Sequence, residues 1–309
     1  ASQVEEIKRA VSIPVITVGR YTEPQFAELM VKEGRCDLVA FGRQSLADPA
    51  MPKKAQEERL EDMTPCIACL QGCVANMYAG NPVCCLTNPF LGHEAEPLEK
   101  AENPKKVMVI GGGVAGLSAA FIAKERGHEV TLYEAGDVLG GNMRLAAYPP
   151  GKGDITNMIR SYIHRCQKDG VKIVMNCEVT PELIKEEKPD SVIIATGSKT
   201  LILPIEGIDN PAIIHGSDLL DGKRAAGKKV LVVGGGMVGC ETAAFLGEQE
   251  HDVTVIEFRD TVGADVIHEH RVYLMKDFED YGIKEITGAK VCKFYEDGVE
   301  YETADGVRH

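Results

Sequence analysis

One pattern occurs twice in this 309-residue chain. "KKVMVIGGGVAGLSAAFIAKERGHEVTLYE" starts at Lys105 and "KKVLVVGGGMVGCETAAFLGEQEHDVTVIE" at Lys228. Each reads as an apolar strand, a glycine turn, a helix of small residues and a second strand closed by an acid. That order constrains the fold strongly, because consecutive βαβ units require parallel strands joined by a right-handed crossover, and so an α/β class with two Rossmann-like domains. Gly111, Gly113 and Gly116 form G-x-G-x-x-G in the first copy, with Glu134 as the acid; Gly234, Gly236, Gly239 and Glu257 repeat the set. The first glycine permits the tight turn, the second lets backbone approach a pyrophosphate, and the third lets helix and strand pack closely. The phosphates then rest on a helix N-terminus. A glycine turn alone is a weak sign. Here each turn follows a strand, opens a helix and meets its acid at the same offset, which reads as two dinucleotide sites. A carboxylate accepts from a ribose 2′-hydroxyl and repels a 2′-phosphate, so Glu257 favours NADH; Arg259 close by leaves NADPH open.

Half of the ten cysteines crowd into "TPCIACLQGCVANMYAGNPVCCLTNP", residues 64–89. The formal net charge of −13 is spread over mixed-sign segments, which excludes nucleic acid and an anionic membrane as expected partners. The opening "ASQVEEIKRAV" lacks the pattern of a secretory leader, and no apolar run approaches a bilayer span, so the expected compartment is the cytoplasm. A reducing compartment turns clustered thiols toward metal or redox chemistry. Cys66, Cys69 and Cys73 follow Cys-x2-Cys-x3-Cys, and either Cys84 or Cys85 supplies a fourth sulfur. Four thiolates suit zinc or an iron–sulfur cluster. Three cysteines in one tight turn with a distant fourth favour the cubane, whereas structural zinc usually pairs two Cys-x2-Cys knuckles. Cys36, Cys166, Cys177, Cys240 and Cys292 read as small buried hydrophobes.

Ahead of the cysteines, "IPVITVGR" is an apolar strand ending in Gly19 and Arg20. "TEPQFAELMVKEG" reads as a helix capped by Thr22 with Gln25 three residues on, and "CDLVAFGRQSLADP" as a strand ending in Gly42 and Arg43. Strand, helix and strand with Gly-Arg at both C-terminal ends is similar to the last two units of a β/α barrel, a class with a phosphate site after its final strands. A short βαβ element is the alternative.

The strand "SVIIATGS" after the first glycine copy resembles the flavin disulfide-reductase type, in which an NAD(P)H domain is inserted into an FAD domain. The resemblance implies FAD in the first copy and NAD in the second. It places Gly141 and Asn142 along the FAD, Val179 against its adenine through backbone contacts, and Gly197 where the A-T-G strand closes the flavin site. No Cys-x-x-Cys lies in either nucleotide half.

In the order "DLVAFGRQSLADP", "CIACLQGCVANMYAGNPVCCLTNP" and "VIGGGVAGLSAA", the whole chain resembles the large members of the old yellow enzyme family: 2,4-dienoyl-CoA reductase, enoate reductase and trimethylamine dehydrogenase. That resemblance implies the end of a TIM-type β/α barrel over 1–60, an iron–sulfur segment over 61–103, the first part of an FAD domain over 104–225 and an incomplete NAD domain over 226–309. The family's fourth cysteine precedes Leu-x-Asn-Pro, which selects Cys85 with Cys66, Cys69 and Cys73 for a 4Fe-4S cluster and leaves Cys84 spare. Gly19, Arg20, Gly42 and Arg43 are implied to hold the phosphate of FMN in the full-length protein. The implied activity is a relay from NADH through FAD, cluster and FMN to a small unsaturated substrate whose double bond is conjugated to a carbonyl or thioester.

Relative to that family, the chain is expected to begin near the seventh barrel strand, without the tyrosine and histidine that protonate substrate, and to stop before the strand that completes the FAD site. A longer polypeptide is therefore expected, and no catalytic residue is assigned here. His268 and His270 read as a solvated helix face. An amine dehydrogenase passing electrons outward, and an electron-transfer module resembling the small subunit of glutamate synthase, are the alternatives; the complete second glycine set argues against the former and the barrel-like opening against the latter. Self-association as a homo-oligomer stays open.

Overall fold

The computed structural model describes residues 2–96 and 98–309; Ala1, in the expected barrel segment, and Pro97, in the expected cysteine segment, lie outside the described residues. The chain divides into two compact units, residues 1–141 with 154–196, and residues 142–153 with 197–309.

In the first unit the chain runs α1 (Ser2–Ala10), β1 (Ile16–Val18), α2 (Pro24–Lys32), β2 (Leu38–Ala40), α3 (Arg43–Ala47), α4 (Met51–Gln56) and, inside the cysteine segment, α5 (Val74–Tyr78). Strands β1 and β2 pair in parallel, Ile16 opposite Leu38 and Val18 opposite Ala40. The expected Thr22 cap is corrected: α2 starts at Pro24 after Glu23, with no side-chain cap, because proline's preset φ and missing N–H suit the first helical turn. Buried Ala27 and Met30 hold α2 against Tyr21 and Cys36. The side chains of Ile16, Val18 and Leu38 are exposed on this strand pair.

The same unit continues with β3 (Lys106–Ile110), α6 (Val114–Glu125), β4 (Glu129–Tyr133), α7 (Asp154–Lys168), β5 (Lys172–Val174), α8 (Pro181–Glu187) and β6 (Ser191–Ile194). Its sheet has the order β5-β4-β3-β6, all parallel, as the βαβ reading requires. Strand β3 is apolar and buried along its middle because helices cover both faces of such a sheet. Ile155, Met158, Ile159, Tyr162 and Cys166 recur at helical spacing and form the buried stripe of α7. Phe121 and Leu117 of α6, with Val109 and Leu132 of the sheet, are wholly buried, each contributing about 1.5–3 kcal/mol of transfer free energy.

The second unit contains α9 (Gly216–Leu220), β7 (Lys229–Val233), α10 (Met237–Glu248), β8 (Asp252–Ile256), α11 (His268–Asp280), β9 (Lys284–Ile286), β10 (Ala289–Phe294) and β11 (Val299–Thr303). Strands β7, β8 and β9 form a parallel sheet with β8 central, and β10 and β11 make an antiparallel hairpin. Its core joins Cys240, Ala243 and Leu246 of α10 to Val253 and Val255 of β8 and to Leu274 and Phe278 of α11. His268 and His270 lie on α11; His268 is exposed, as expected of a solvated face, whereas His270 is half-buried. Cys36, Cys166 and Cys240 are buried, but Cys177 and Cys292 are only half-buried, so the small-hydrophobe reading holds for three of those five. No helix among the described residues is long and apolar enough to cross a membrane.

Candidate cofactor sites

Cys66, Cys69, Cys73, Cys84 and Cys85 all line one cavity, with Arg43, Leu46, Ile67 and Leu70 among its walls. The turn that gathers the first three is tight. Ala68 and Leu70, between the cysteines, adopt left-handed φ angles of 51° and 57°, a conformation that costs an L-residue about 1–2 kcal/mol. The returning strand closes over Gly72, whose carbonyl accepts from the N–H of Cys84 at 2.8 Å; any side chain at Gly72 would run into the Cys84 backbone. Burial pushes the Cys66 thiol up, opposed by the Ala68 N–H and the Arg43 charge; burial likewise pushes Cys69 up, opposed by the Gln71 N–H. Cys73 and Cys85 act electrostatically on both. Among the described residues, no group of three or more His, Cys, Asp or Glu side chains is placed to hold a single metal ion. The four cysteines line one shared space. Half-buried thiols, two of them with an amide N–H directed at the sulfur, fit a polynuclear cation, which would ionise them and receive those N–H groups around its sulfurs.

Polar side chains that the cysteine spacing did not reveal hold this cage from both sides. Gln44 of α3, 2% exposed, donates Nε2 to the Thr64 carbonyl at 2.9 Å and accepts the Cys66 N–H at 2.8 Å. Asp48, also buried, accepts the Thr64 N–H at 2.9 Å and pairs with Lys54 at 2.7 Å. After Cys85, the Asn88 amide donates to the Leu46 carbonyl at 2.9 Å. On the opposite side α7 supplies Tyr162, whose phenol reaches the carbonyls of Leu86 at 3.4 Å and Thr87 at 3.3 Å. Burial, then the Cys85 sulfur, push that phenol up to about 12, so it remains a donor. His164 and Lys168, further along α7, bind Asp62 just ahead of the cysteines. The "LTNP" that follows Cys85 was the available signal for Thr87 and Asn88; Gln44, Asp48 and Tyr162 had none, being brought in by packing.

Gly19 and Arg20 follow β1, and Gly42 and Arg43 follow β2, the C-terminal strand ends expected. Arg20 has φ 52° and forms an ion pair with Asp154 at the start of α7, whereas Arg43 faces the cysteine cavity.

The first glycine turn is shaped by close approach. Gly111 has φ 108° with the Ala195 carbonyl where a Cβ would stand, and a Cβ on Gly116 would collide with the Gly111 carbonyl. Gly113 lies against Gly141 and bridges to Gly140, placing Gly141 over the N-terminus of α6. Glu134 accepts the N–H of Gly112 at 2.6 Å and of Gly136 at 2.7 Å. Val179 is half-buried in the loop ahead of α8, just before the Thr180 cap. In the second unit Asn142 donates to the Ser198 carbonyl at 3.2 Å, and Gly197 has φ 71°.

The other glycine turn repeats this geometry. A Cβ on Gly239 would collide with the Gly234 carbonyl, and Glu257 accepts the N–H of Gly235 at 2.5 Å and of Arg259 at 2.8 Å. One element differs. Asp265 accepts the N–H of Met237, the first residue of α10, at 2.8 Å, and its carboxylate lies beside Gly236. A carboxylate thus occupies an amide of the helix terminus that would receive a dinucleotide phosphate.

The chain is similar to known proteins. An NADH oxidase of Thermoanaerobacter brockii is 40% identical over 303 residues, which is 96% of this chain and 46% of that one. A cinnamate reductase of Clostridium sporogenes is 39% identical over 259 residues, 84% of this chain and 39% of its own length. The solved complex of 2-naphthoyl-CoA reductase with 2-naphthoyl-CoA superposes with a TM-score of 0.95 at 35% identity, covering 100% of this chain and 47% of that chain. The chain therefore spans about half the length of the relatives it matches. Residues 1–62 match the NADH:flavin oxidoreductase / NADH oxidase family, and residues 105–308 place the chain in the pyridine nucleotide-disulphide oxidoreductase family.

Proposed function

We propose that this chain is the electron-input part of an NADH-dependent flavin oxidoreductase that reduces a carbon–carbon double bond conjugated to a carboxyl or thioester group. The observation that carries the reading is the cavity shared by Cys66, Cys69, Cys73 and Cys85, set between the barrel-like βαβ segment and α7 of the first dinucleotide domain. Those cysteines would hold a 4Fe-4S cluster. The Gly111, Gly113, Gly116 turn with Glu134, Gly141, Asn142, Val179 and Gly197 would hold FAD; Gly234, Gly236, Gly239 and Glu257 would hold NADH; Gly19, Arg20, Gly42 and Arg43 would hold the FMN phosphate. Bound there, the flavins handle electron pairs and the cluster single electrons, which is the chemistry needed to connect NADH to an alkene.

The chain's own residues bind and orient. Glu134 and Glu257 are each pinned by two backbone N–H groups yet keep lone pairs for ribose hydroxyls, and the Glu257 charge disfavours a 2′-phosphate. Apolar Leu46 and Ile67 line the cavity beside the sulfurs. The exposed apolar face of Ile16, Val18 and Leu38 supports a barrel in which further strands cover it. The names of the cinnamate and naphthoyl-CoA reductases support the substrate class. Anaerobic NADH titration of the full-length protein tests the reading: FAD bleaching, then a cluster signal, then FMN bleaching is expected, and no absorbance change with NADH overturns it.

A further inference from the structure

The hydroxyl of Thr87 lies 3.3 Å from the Cys85 sulfur, and Thr87 is only 3% exposed. Its position is held on both sides. The Thr87 carbonyl accepts from the Tyr162 phenol, and the next residue, Asn88, is tied to Leu46 by its amide and to the Phe90 N–H at 3.0 Å by its side-chain oxygen. Between two neutral groups either partner could donate. A metal-bound thiolate has no proton to give, so with iron bound the hydroxyl becomes the donor and the sulfur the acceptor. The neighbouring Cys84 differs: the residue is exposed, and its sulfur faces the Asn76 amide at a longer 3.6 Å.

Resting on the cluster reading above, we propose that Thr87 sets the reduction potential of that centre by donating a hydrogen bond to its Cys85 ligand. A donor at a ligating sulfur stabilises the state carrying more negative charge, so it favours the reduced form and raises the potential. The setting strengthens the effect, because the Thr87 end of this part-buried bond is removed from water, where electrostatic interactions are less screened. The backbone N–H groups at Cys66 and Cys69 act in the same direction but belong to the turn itself. Thr87 is different in kind: its donor is a side chain, which can be removed without altering the backbone cage.

The test is an EPR-monitored potentiometric titration of the full-length protein, purified without oxygen, beside iron and sulfide analysis. Thr87→Val is expected to retain iron and sulfide while the reduced-to-oxidised ratio at the wild-type midpoint falls about three- to tenfold, a tenfold change being 59 mV for a one-electron couple. Thr87→Ala provides a second removal of the hydroxyl should valine disturb packing, and Thr87→Ser should keep the midpoint close to wild type. A wild-type midpoint in both the valine and alanine variants overturns the proposal while leaving the cluster in place. Absence of iron and sulfide from the wild type instead sinks the cluster reading on which it rests.

Discussion

Tyr162 sets the edge of its ring against Phe121, centroids 5.2 Å apart at an interplanar angle of 79°, while its phenol holds the Thr87 carbonyl at 3.3 Å. One side chain of α7 thereby links α6, the helix behind the first glycine turn, to the residues around Cys85. Removing only the hydroxyl in Tyr162→Phe should cost about 1 kcal/mol, the net value of one such bond, with the ring contact kept. Tyr162→Ala should cost about 3–5 kcal/mol by opening a cavity beside Phe121. Urea denaturation followed by circular dichroism measures both, and equal losses would show that the phenol bond and not the ring carries the contact.

The two glycine turns should fail separately. Gly116→Ala drives a Cβ into the Gly111 carbonyl, and Gly239→Ala does the same to the Gly234 carbonyl. Gly116→Ala is expected to lose FAD while retaining NADH binding, and Gly239→Ala the reverse. Flavin content and NADH fluorescence titration on each variant decide it.

Asp265 competes for an amide that a dinucleotide phosphate would use, since it accepts the Met237 N–H at 2.8 Å. Asp265→Asn keeps a weaker acceptor and removes the negative charge facing the phosphates. The NADH dissociation constant should fall about two- to fivefold, in line with about 0.5–1 kcal/mol for a charge at a helix end, and the gain should shrink in high salt. Isothermal titration at low and high ionic strength measures this; a weaker NADH affinity in Asp265→Asn would mean that the carboxylate assists binding.

Acid should loosen the cysteine segment from α7. Burial alone would raise the Asp62 carboxyl, but hydrogen bonds from Lys168, Arg59 and His164 outweigh it and hold the group well below the usual carboxylate range. A folded pKa below the unfolded value of about 3.9 contributes stability that is complete above that pH and is lost as pH falls toward the folded value. Because Lys168 and Arg59 are about half exposed, screening limits the contribution to about 1–2 kcal/mol. Asp62→Asn should therefore melt below wild type at neutral pH, and the gap between the two melting temperatures should begin to narrow below about pH 4 and go on narrowing as pH falls toward the folded value.

The fourth sulfur can be identified directly. Cys85 is half-buried and acts electrostatically on Cys66 and Cys69, whereas Cys84 is exposed. Cys85→Ser should lose most of the bound iron and Cys84→Ser should keep it, as read by iron and sulfide analysis. The opposite result would move the ligand to Cys84.

The repeated βαβ units, both glycine turns and the crowding of thiols were legible in the residues, because these features are local: a period of apolar positions, a glycine where backbone must approach, a short Cys spacing. Their acids too could be read, since Glu134 and Glu257 directly follow their strands. Tertiary structure decided the rest. Thr22 had the right chemistry for a cap, but Pro24 set where α2 begins. That Tyr162 and Gln44 flank the cysteine segment, that Thr87 reaches the Cys85 sulfur while Cys84 is the more exposed of the two, and that Asp265 sits on the N-terminus of α10 follow from packing. Most of these contacts join positions far apart in the chain, whose meeting depends on how helices settle on their sheets; no spacing rule within one segment encodes that, and only the folded chain resolves it.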